Sequence, residues 1–285
     1  MNLVFNADDF GKTKSINQAV FELAKFGTLT STTVMVNTPY AYEANLLNDI
    51  PNFSIGLHYN LTEGKPISDA SKISSLIDQS GQFFSYPQFI LKLRKGKLRK
   101  SEMVIELQAQ FDKLEEIIGK RPSHIDSHQN IHKQWGVAKA LIEFSKTNPN
   151  LGLRSSRRYI VFSGAINKTV VGMGFQKKII FIATNFYLSF LNHKLEKLFI
   201  LPKGELHHNS LKKIGFLNWL IQTQLLPNSN YIFEVPCHPA TNTEELQDTK
   251  LTEKRLFEYQ IMRSNDFREA LSKVTLTNFY NLQKQ

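Results

Sequence analysis

Short apolar or β-branched segments alternate with segments of helical spacing along the chain, and this alternation constrains the fold most strongly. The strand-like segments are Leu3 to Asn6, Thr30 to Val36, Phe53 to Leu57, Ser123 to Asp126 and Tyr231 to Cys237. The helix-like segments are Ser15 to Lys25, with Ser15 as the predicted N-cap, Tyr40 to Leu47, Glu102 to Ile118 and Trp135 to Ser145. Repeated strand–loop–helix order predicts an α/β fold with mainly parallel strands. The length of 285 residues, without repeats or a Gly/Ser linker, predicts one domain over residues 1–285.

Ionisable residues gather where the predicted strands end. They are Asp8 and Asp9, His58, Asp126 and His128, and His238. In parallel α/β barrels the carboxyl ends of the strands share one rim, and catalytic groups come from that rim. We therefore expect these side chains to converge on one cleft.

Asp8 and Asp9 are adjacent carboxylates, which repel each other unless a cation lies between them or one is protonated. Side chains of neighbouring strand residues point to opposite sides, but the chain is expected to turn here, so that both can face one cleft. The alternative is an ordinary Asp-rich turn.

The segment from Asp126 to His132 brings three candidate ligands together after a strand, and His124 stands just before it. Imidazole with carboxylate suits Zn, Ni, Fe or Co, whereas carboxylate-rich sites suit Mg or Mn. We expect either His124 or His132 to be structural. The sequence leaves His58 and His238 open between a functional role and that of a hydrogen-bonded core histidine.

Cys237 is the single cysteine, which excludes an intrachain disulfide and is compatible with a reducing compartment. A thiol nucleophile beside His238 is disfavoured because adjacent residues rarely present their side chains to each other. Residues Met1 to Phe10 lack the pattern of a signal peptide, which predicts a cytoplasmic protein.

The formal net charge of +10 comes from scattered lysines and arginines. It fits solvated faces of a basic protein, an anionic substrate such as a phosphorylated sugar, or, with no motif in support, nucleic-acid binding. The apolar stretch from Ile179 to Leu191 is shorter than the roughly 20 residues of a membrane span. It predicts a helix that is buried or faces a partner, and an exposed version would be a dimer interface.

Four motifs together resemble the YdjC-like carbohydrate deacetylases, a family that includes chitooligosaccharide deacetylase. They are Asn6 to Gly11, Gly56 to Thr62, His124 to His132 and Cys237 to Pro239, in family order and spacing. The resemblance implies a (β/α) barrel, often distorted, of the glycoside hydrolase/deacetylase type, and a homodimer. It also implies a divalent ion, Mg or Zn, held by Asp9, His58 and His128, with Asp8 as general base and His238 as general acid.

One residue departs from the family pattern, because Asn130 stands where the family usually has a third histidine. Asn130 can bind substrate or support another side chain but cannot take up a proton at neutral pH. His132 and Asp126 are expected to bind substrate or to orient a ligand. Arg154 is expected to do the same or to bind an anionic sugar, and the alternative for it is a surface charge.

The predicted function is metal-dependent removal of an N-acetyl group from an amino sugar or short chitooligosaccharide, with or without phosphate. Two alternatives stay open at this point. One is a metal-dependent phosphoesterase that uses the same ligands. The other is a sugar-binding homologue whose catalysis is impaired by Asn130.

Overall fold

A computed structural model describes residues 2–160, 175–207, 217, 231–246, 251–272 and 274–284. The described strands are β1 (Asn2–Phe10), β2 (Ser31–Val34), β3 (Ser54–Tyr59), β4 (His124–Ser127), β5 (Gly152–Leu153), β6 (Arg158–Ile160), β7 (Glu205–His207), β8 (Ile232–Cys237) and β9 (Thr275–Leu276). They form one sheet in the order β5-β4-β3-β2-β1-β8-β7-β6, and β9 pairs with the start of β1. The named strand pairs are all parallel, as the alternating sequence predicted.

Helices connect and cover these strands. The described α-helices are α1 (Lys14–Phe26), α2 (Tyr86–Arg94), α3 (Lys100–Ile118), α4 (Trp135–Ser145), α5 (Phe175–Leu195), α6 (Thr252–Met262), α7 (Asn265–Leu271) and α8 (Phe279–Leu282). The 3-10 helices of the same described residues, Ala41–Asp49, Ala70–Lys72 and His128–Lys133, lie in connecting segments.

Helix α1 shows how local chemistry sets an element's bounds. The Thr13 side chain accepts a hydrogen bond from the Ile16 backbone, and Gly27 ends the helix at a φ of 82°. The prediction that Ser15 is the N-cap was therefore wrong, because Thr13 starts the helix two residues earlier and Ser15 lies inside it. The segment predicted from Tyr40 is also helical, but as a 3-10 helix.

The sheet is curled into a half-barrel. Arg154 directly follows β5, yet its Nε lies 2.7 Å from Glu234 Oε1 in β8. In a flat sheet these strands would be five spacings of about 4.8 Å apart, which is beyond the reach of one side chain. The predicted α/β barrel-type fold is confirmed in this curled form, and within the described ranges no pairing closes β5 onto β6.

His124, the first residue of β4, is tightly packed on all sides. Its ring stacks on Phe279 with centroids 3.6 Å apart, and its Nδ1 lies 2.7 Å from Ser123 Oγ. A Cβ added at Gly56 would collide with the same ring. His124 is thus the structural histidine that the sequence predicted, and burial with the nearby positive charge of Arg154 lowers its pKa well below the ordinary value.

Helix α5 contains the apolar stretch from Ile179 to Leu191 and presents much of it to solvent. The exposed fraction is 65% for Ile180, 62% for Ile182 and 78% for Phe186, whereas Leu191 is buried. Of the two predicted possibilities, a buried helix and an exposed one, the structure shows the exposed helix. Within the described part of the chain, no helix combines the length and the apolar character needed to cross a membrane.

Candidate active site

Strand β1 is irregular where it delivers the two aspartates. Its register with β2 shifts between Ala7 and Phe10, and Asp9 has a φ of 67°, a left-handed conformation that is uncommon outside glycine. This irregularity allows Asp8 and Asp9 to line the same cleft, as the sequence analysis expected. Both carboxylates are buried, which contradicts the alternative of an ordinary Asp-rich turn.

Asp9, His58 and His128 meet around one point. One ligand atom from each lies within 4.8 Å of the other two. Asp9 Oδ1 is 3.3 Å from His58 Nε2 and 3.0 Å from His128 Nδ1. One carboxylate with two imidazoles is a donor set typical of zinc and other divalent ions. The residues present therefore fit the metal that the family resemblance implies.

A second cluster of ligand-type residues, Asp8, His58 and Asp126, is also close enough to hold an ion. Arg154 occupies it, because its guanidinium lies 2.6 Å from Asp8 Oδ1 and 2.8 Å from Asp126 Oδ2. Both carboxylates of this cluster are therefore already paired with Arg154. Asp9 also has an arginine partner, Arg255, but only on Oδ2, so that Oδ1 still faces the two histidines.

Arg154 is fully buried, so its interpretation as a surface charge was wrong. It donates to both oxygens of Asp8 at 2.7 and 2.6 Å and also contacts Asp126 and Glu234. Although burial opposes ionisation, the Arg154 charge lowers the pKa of Asp8 well below its usual range. Arg154 holds the predicted base in place and is not among the residues that line the cleft.

Each candidate ligand histidine carries a second carboxylate on its other ring nitrogen. His58 Nδ1 lies 2.6 Å from Asp126 Oδ1, and His128 Nε2 lies 3.0 Å from Glu63 Oε2. Burial opposes protonation of His58, but Asp126 and Asp9 raise its pKa to about 10. The predicted orienting role of Asp126 agrees with this contact, and a divalent ion must displace the proton that His58 carries.

Two residues of the site were missed by the sequence interpretation. Arg255 of α6 is buried and pairs with Asp9 Oδ2, which leaves Oδ1 for the histidines. Burial opposes ionisation of Asp9, yet Arg255 and the histidine hydrogen bonds lower its pKa well below the usual range. Glu63 could have been found from the sequence, because it lies in the segment that directly follows His58. Arg255 could not have been found, because it lies in a helix far along the chain.

His238 stands beside Asp8, with Nε2 3.6 Å from Asp8 Oδ2. Its backbone N–H donates to Glu258 Oε2 at 2.6 Å, which fixes the turn after β8. Burial and the Arg255 charge lower the pKa of His238 despite the nearby Asp8. His238 is therefore neither a core histidine nor a candidate ligand, but a partner of the predicted base.

The remaining predicted site residues separate into two groups. Asn130 lines the cleft at a φ of 56°, two residues after the candidate ligand His128. His132 is fully buried, with Nδ1 2.6 Å from Ser127 Oγ, and is not among the residues that line the cleft, so it supports the segment. Cys237 donates from its thiol to the Asn6 carbonyl, and burial raises its pKa well above the ordinary value, so the thiol is no nucleophile.

The cleft above these residues has a volume of about 1030 Å³. Loops after β1, β2, β3, β4 and β8 line it, and its charged walls include Lys12 and Glu63. It is large enough for a sugar ligand and opens directly over Asp8, Asp9 and His238.

A family model described as YdjC-like protein matches residues 2–273 of this chain. The chain belongs to the YdjC-like family. The resemblance of its four motifs is thereby confirmed over nearly the whole length.

Two curated relatives match this YdjC-like chain from end to end. A carbohydrate deacetylase of Enterococcus faecalis is 29% identical over 98% of this chain and 97% of its own length. A chitooligosaccharide deacetylase of Yersinia enterocolitica is 28% identical over 95% of this chain and 94% of its own length.

A crystal structure from Enterococcus faecalis V583, of a candidate cellobiose-phosphate cleavage protein, superimposes on this YdjC-like chain with a TM-score of 0.75. The two proteins are 27% identical, and the match covers 99% of this chain and 98% of the other.

Proposed function

We propose that this protein is a metal-dependent hydrolase that removes the N-acetyl group of an amino sugar or short chitooligosaccharide. One observation carries the proposal: the ligand set Asp9, His58 and His128 lies on the floor of a cleft that Asp8 and His238 also line. The names of the curated relatives, carbohydrate deacetylase and chitooligosaccharide deacetylase, support the same reaction.

The chain's own residues divide the proton transfers of amide hydrolysis between them. A divalent ion at Asp9, His58 and His128 would supply the Lewis acidity that activates water and polarises the acetyl carbonyl. Asp8 is ionised beside Arg154 and accepts the proton that the attacking water loses. His238, whose Nε2 is 3.6 Å from Asp8 Oδ2, receives this proton and gives it to the departing amine. The lowered pKa of His238 fits this role, because it makes the protonated imidazole a stronger acid toward the departing amine.

The test is acetate release from N-acetylglucosamine oligomers of increasing length, with and without a chelator. We expect activity that the chelator abolishes and that Zn²⁺ or Mg²⁺ restores, which would also identify the ion. A phosphorylated oligomer and a phosphodiester belong in the same panel. Phosphate release without acetate release would replace the proposal by the phosphoesterase alternative.

Asn130 motivates the second candidate function, a sugar-binding protein with impaired catalysis. Asn130 lines the cleft but does not belong to the ligand set, so we expect it to orient substrate while catalysis persists. Robust turnover by the wild-type protein excludes the impaired alternative. Turnover that arises only in Asn130→His would support it.

We also propose that the protein forms a homodimer through α5. The support is an exposed apolar stripe of Ile179, Ile182 and Phe186, which lie on one face of the helix at spacings of three and four residues. Light scattering after gel filtration should give twice the chain mass of 32.7 kDa. Phe186→Glu should reduce the measured mass to that of a single chain. A wild-type monomer would contradict this part of the proposal.

The cytoplasmic location that the sequence analysis gave stays a prediction.

A further inference from the structure

His128 is held at both of its ring nitrogens by carboxylates. Nδ1 lies 3.0 Å from Asp9 Oδ1, and Nε2 lies 3.0 Å from Glu63 Oε2. His58 shows the reverse arrangement, with Nε2 facing Asp9 and Nδ1 facing Asp126. The two imidazoles therefore point different nitrogens toward the same place, and each has a carboxylate behind it.

We propose that Glu63 is the residue that positions His128 as a metal ligand. Its carboxylate accepts the hydrogen bond from Nε2–H, which fixes the tautomer and leaves the Nδ1 lone pair directed toward Asp9 Oδ1. Metal-binding histidines generally need such a partner on the second nitrogen, and its loss weakens metal binding. This inference rests on the proposed function, since it assumes that the cluster holds an ion.

The structure holds Glu63 in place through its own backbone. The Asn60 side chain accepts hydrogen bonds from the backbone N–H groups of Thr62 and Glu63 and donates to the Glu63 carbonyl at 2.7 Å. Gln110 of α3 in turn donates to the Asn60 carbonyl at 2.7 Å and accepts from its N–H at 3.0 Å. The loop after β3 is therefore anchored to a helix before it reaches the cleft.

Lys12 holds the Glu63 carboxylate from the opposite side. Its Nζ lies 2.9 Å from Glu63 Oε2, the same oxygen that faces His128. Lys12 follows Asp9 by three residues, so this ion pair joins the loop that carries one ligand to the loop that orients another. The Glu63 side chain is 41% exposed, and yet contacts from Lys12 and His128 direct it inward.

The test compares metal affinity in three variants, measured by competition with a chelator of known affinity for Zn²⁺. Glu63→Ala should weaken Zn²⁺ binding by about 10- to 100-fold. Glu63→Gln keeps a neutral acceptor oxygen and should fall between Glu63→Ala and wild type. Glu143→Ala is the matched control, because Glu143 is 42% exposed and pairs with Lys146 away from the site. An affinity of Glu63→Ala equal to that of the control would overturn the proposal.

A second measurement reads the tautomer directly. Long-range ¹H–¹⁵N NMR spectra of the Zn²⁺-loaded protein should show His128 protonated at Nε2, and the opposite tautomer would overturn the proposal. If the wild-type protein binds no Zn²⁺, the proposed function fails. If the wild-type protein binds Zn²⁺ and Glu63→Ala binds it equally well, only the role of Glu63 fails.

Discussion

The guanidinium of Arg154 donates hydrogen bonds to both carboxylate oxygens of Asp8, at 2.7 Å to Oδ2 and 2.6 Å to Oδ1. This bidentate pair is buried, and the two residues are 146 positions apart in the sequence. Such geometry gives direction as well as energy to the interaction. It fixes which way Asp8 faces in the cleft.

Arg154→Met should destabilise the fold strongly. Asp8 and Asp126 would lose their buried counter-charge, and an uncompensated buried charge costs about 3 to 5 kcal/mol. The free energy of unfolding in urea measures the loss. Lys146→Met, which breaks an exposed ion pair with Glu143, is the comparison and should destabilise the protein far less. Equal losses in the two variants would contradict the structural role of Arg154.

Asp9→Ala and His238→Ala should separate metal binding from turnover. Asp9 contacts both candidate ligand histidines, so Asp9→Ala should retain no metal after dialysis. His238 lies outside the ligand set, so His238→Ala should retain the metal and lose acetate release. Elemental analysis and an acetate assay on the same samples measure both quantities. Full activity of Asp9→Ala in metal-free buffer would refute the mechanism.

Gly56→Ala should destabilise the protein because the new methyl group would collide with the His124 ring. That ring cannot yield easily, since it is stacked on Phe279 and hydrogen-bonded to Ser123. Overpacking of this kind costs about 1 to 3 kcal/mol. Thermal unfolding measures it.

Gly136→Ala is the control for this substitution. The added Cβ would come within 2.6 Å of Leu93 Cδ1, which is the end of a flexible side chain and can move away. We expect wild-type stability for Gly136→Ala. A loss as large as that of Gly56→Ala would show that the packing of His124 is not the cause.

Glu234→Gln should change how stability depends on pH. Burial raises the pKa of Glu234 to about 8, although Arg154 opposes this shift. Between an unfolded pKa of about 4.5 and the folded value, the folded state keeps a proton that the unfolded state releases, so wild-type stability falls as pH rises through this window. The variant lacks this contribution. The difference between its unfolding midpoint and that of the wild type should therefore increase in favour of the variant as the pH is raised from 4.5 to about 8. Parallel midpoint curves would contradict a protonated Glu234.

The places of five strands along the chain and of the candidate ligands could be predicted because they depend on local patterns. β-branched and apolar runs marked β1 to β4 and β8, and Asp9, His58 and His128 stand in or directly after these strands. The structure moved the bounds, since β1 continues through Asp9 and β3 includes His58. Local patterns did not place Thr13 as the N-cap, because Ser15 has the same capping chemistry.

The residues that neutralise the site could not be predicted in the same way. Arg255 reaches Asp9 across 246 positions, and nothing in the sequence of α6 distinguishes it from a surface arginine. The burial of Arg154 depends on the curl of the sheet, which brings β5 to face β8. Pairing of this kind is set by tertiary geometry, and a single sequence taken by itself carries no record of it.

The arginine partners of Asp8 and Asp9 determine at which stage of synthesis the site can form. Arg255 follows Asp9 by 246 positions, so a growing polypeptide that stops before α6 has an acidic pair with one of its two balancing cations missing. Such a fragment has lost the group that directs Asp9 toward the histidines. The candidate metal site can therefore be complete only after α6 has been synthesised.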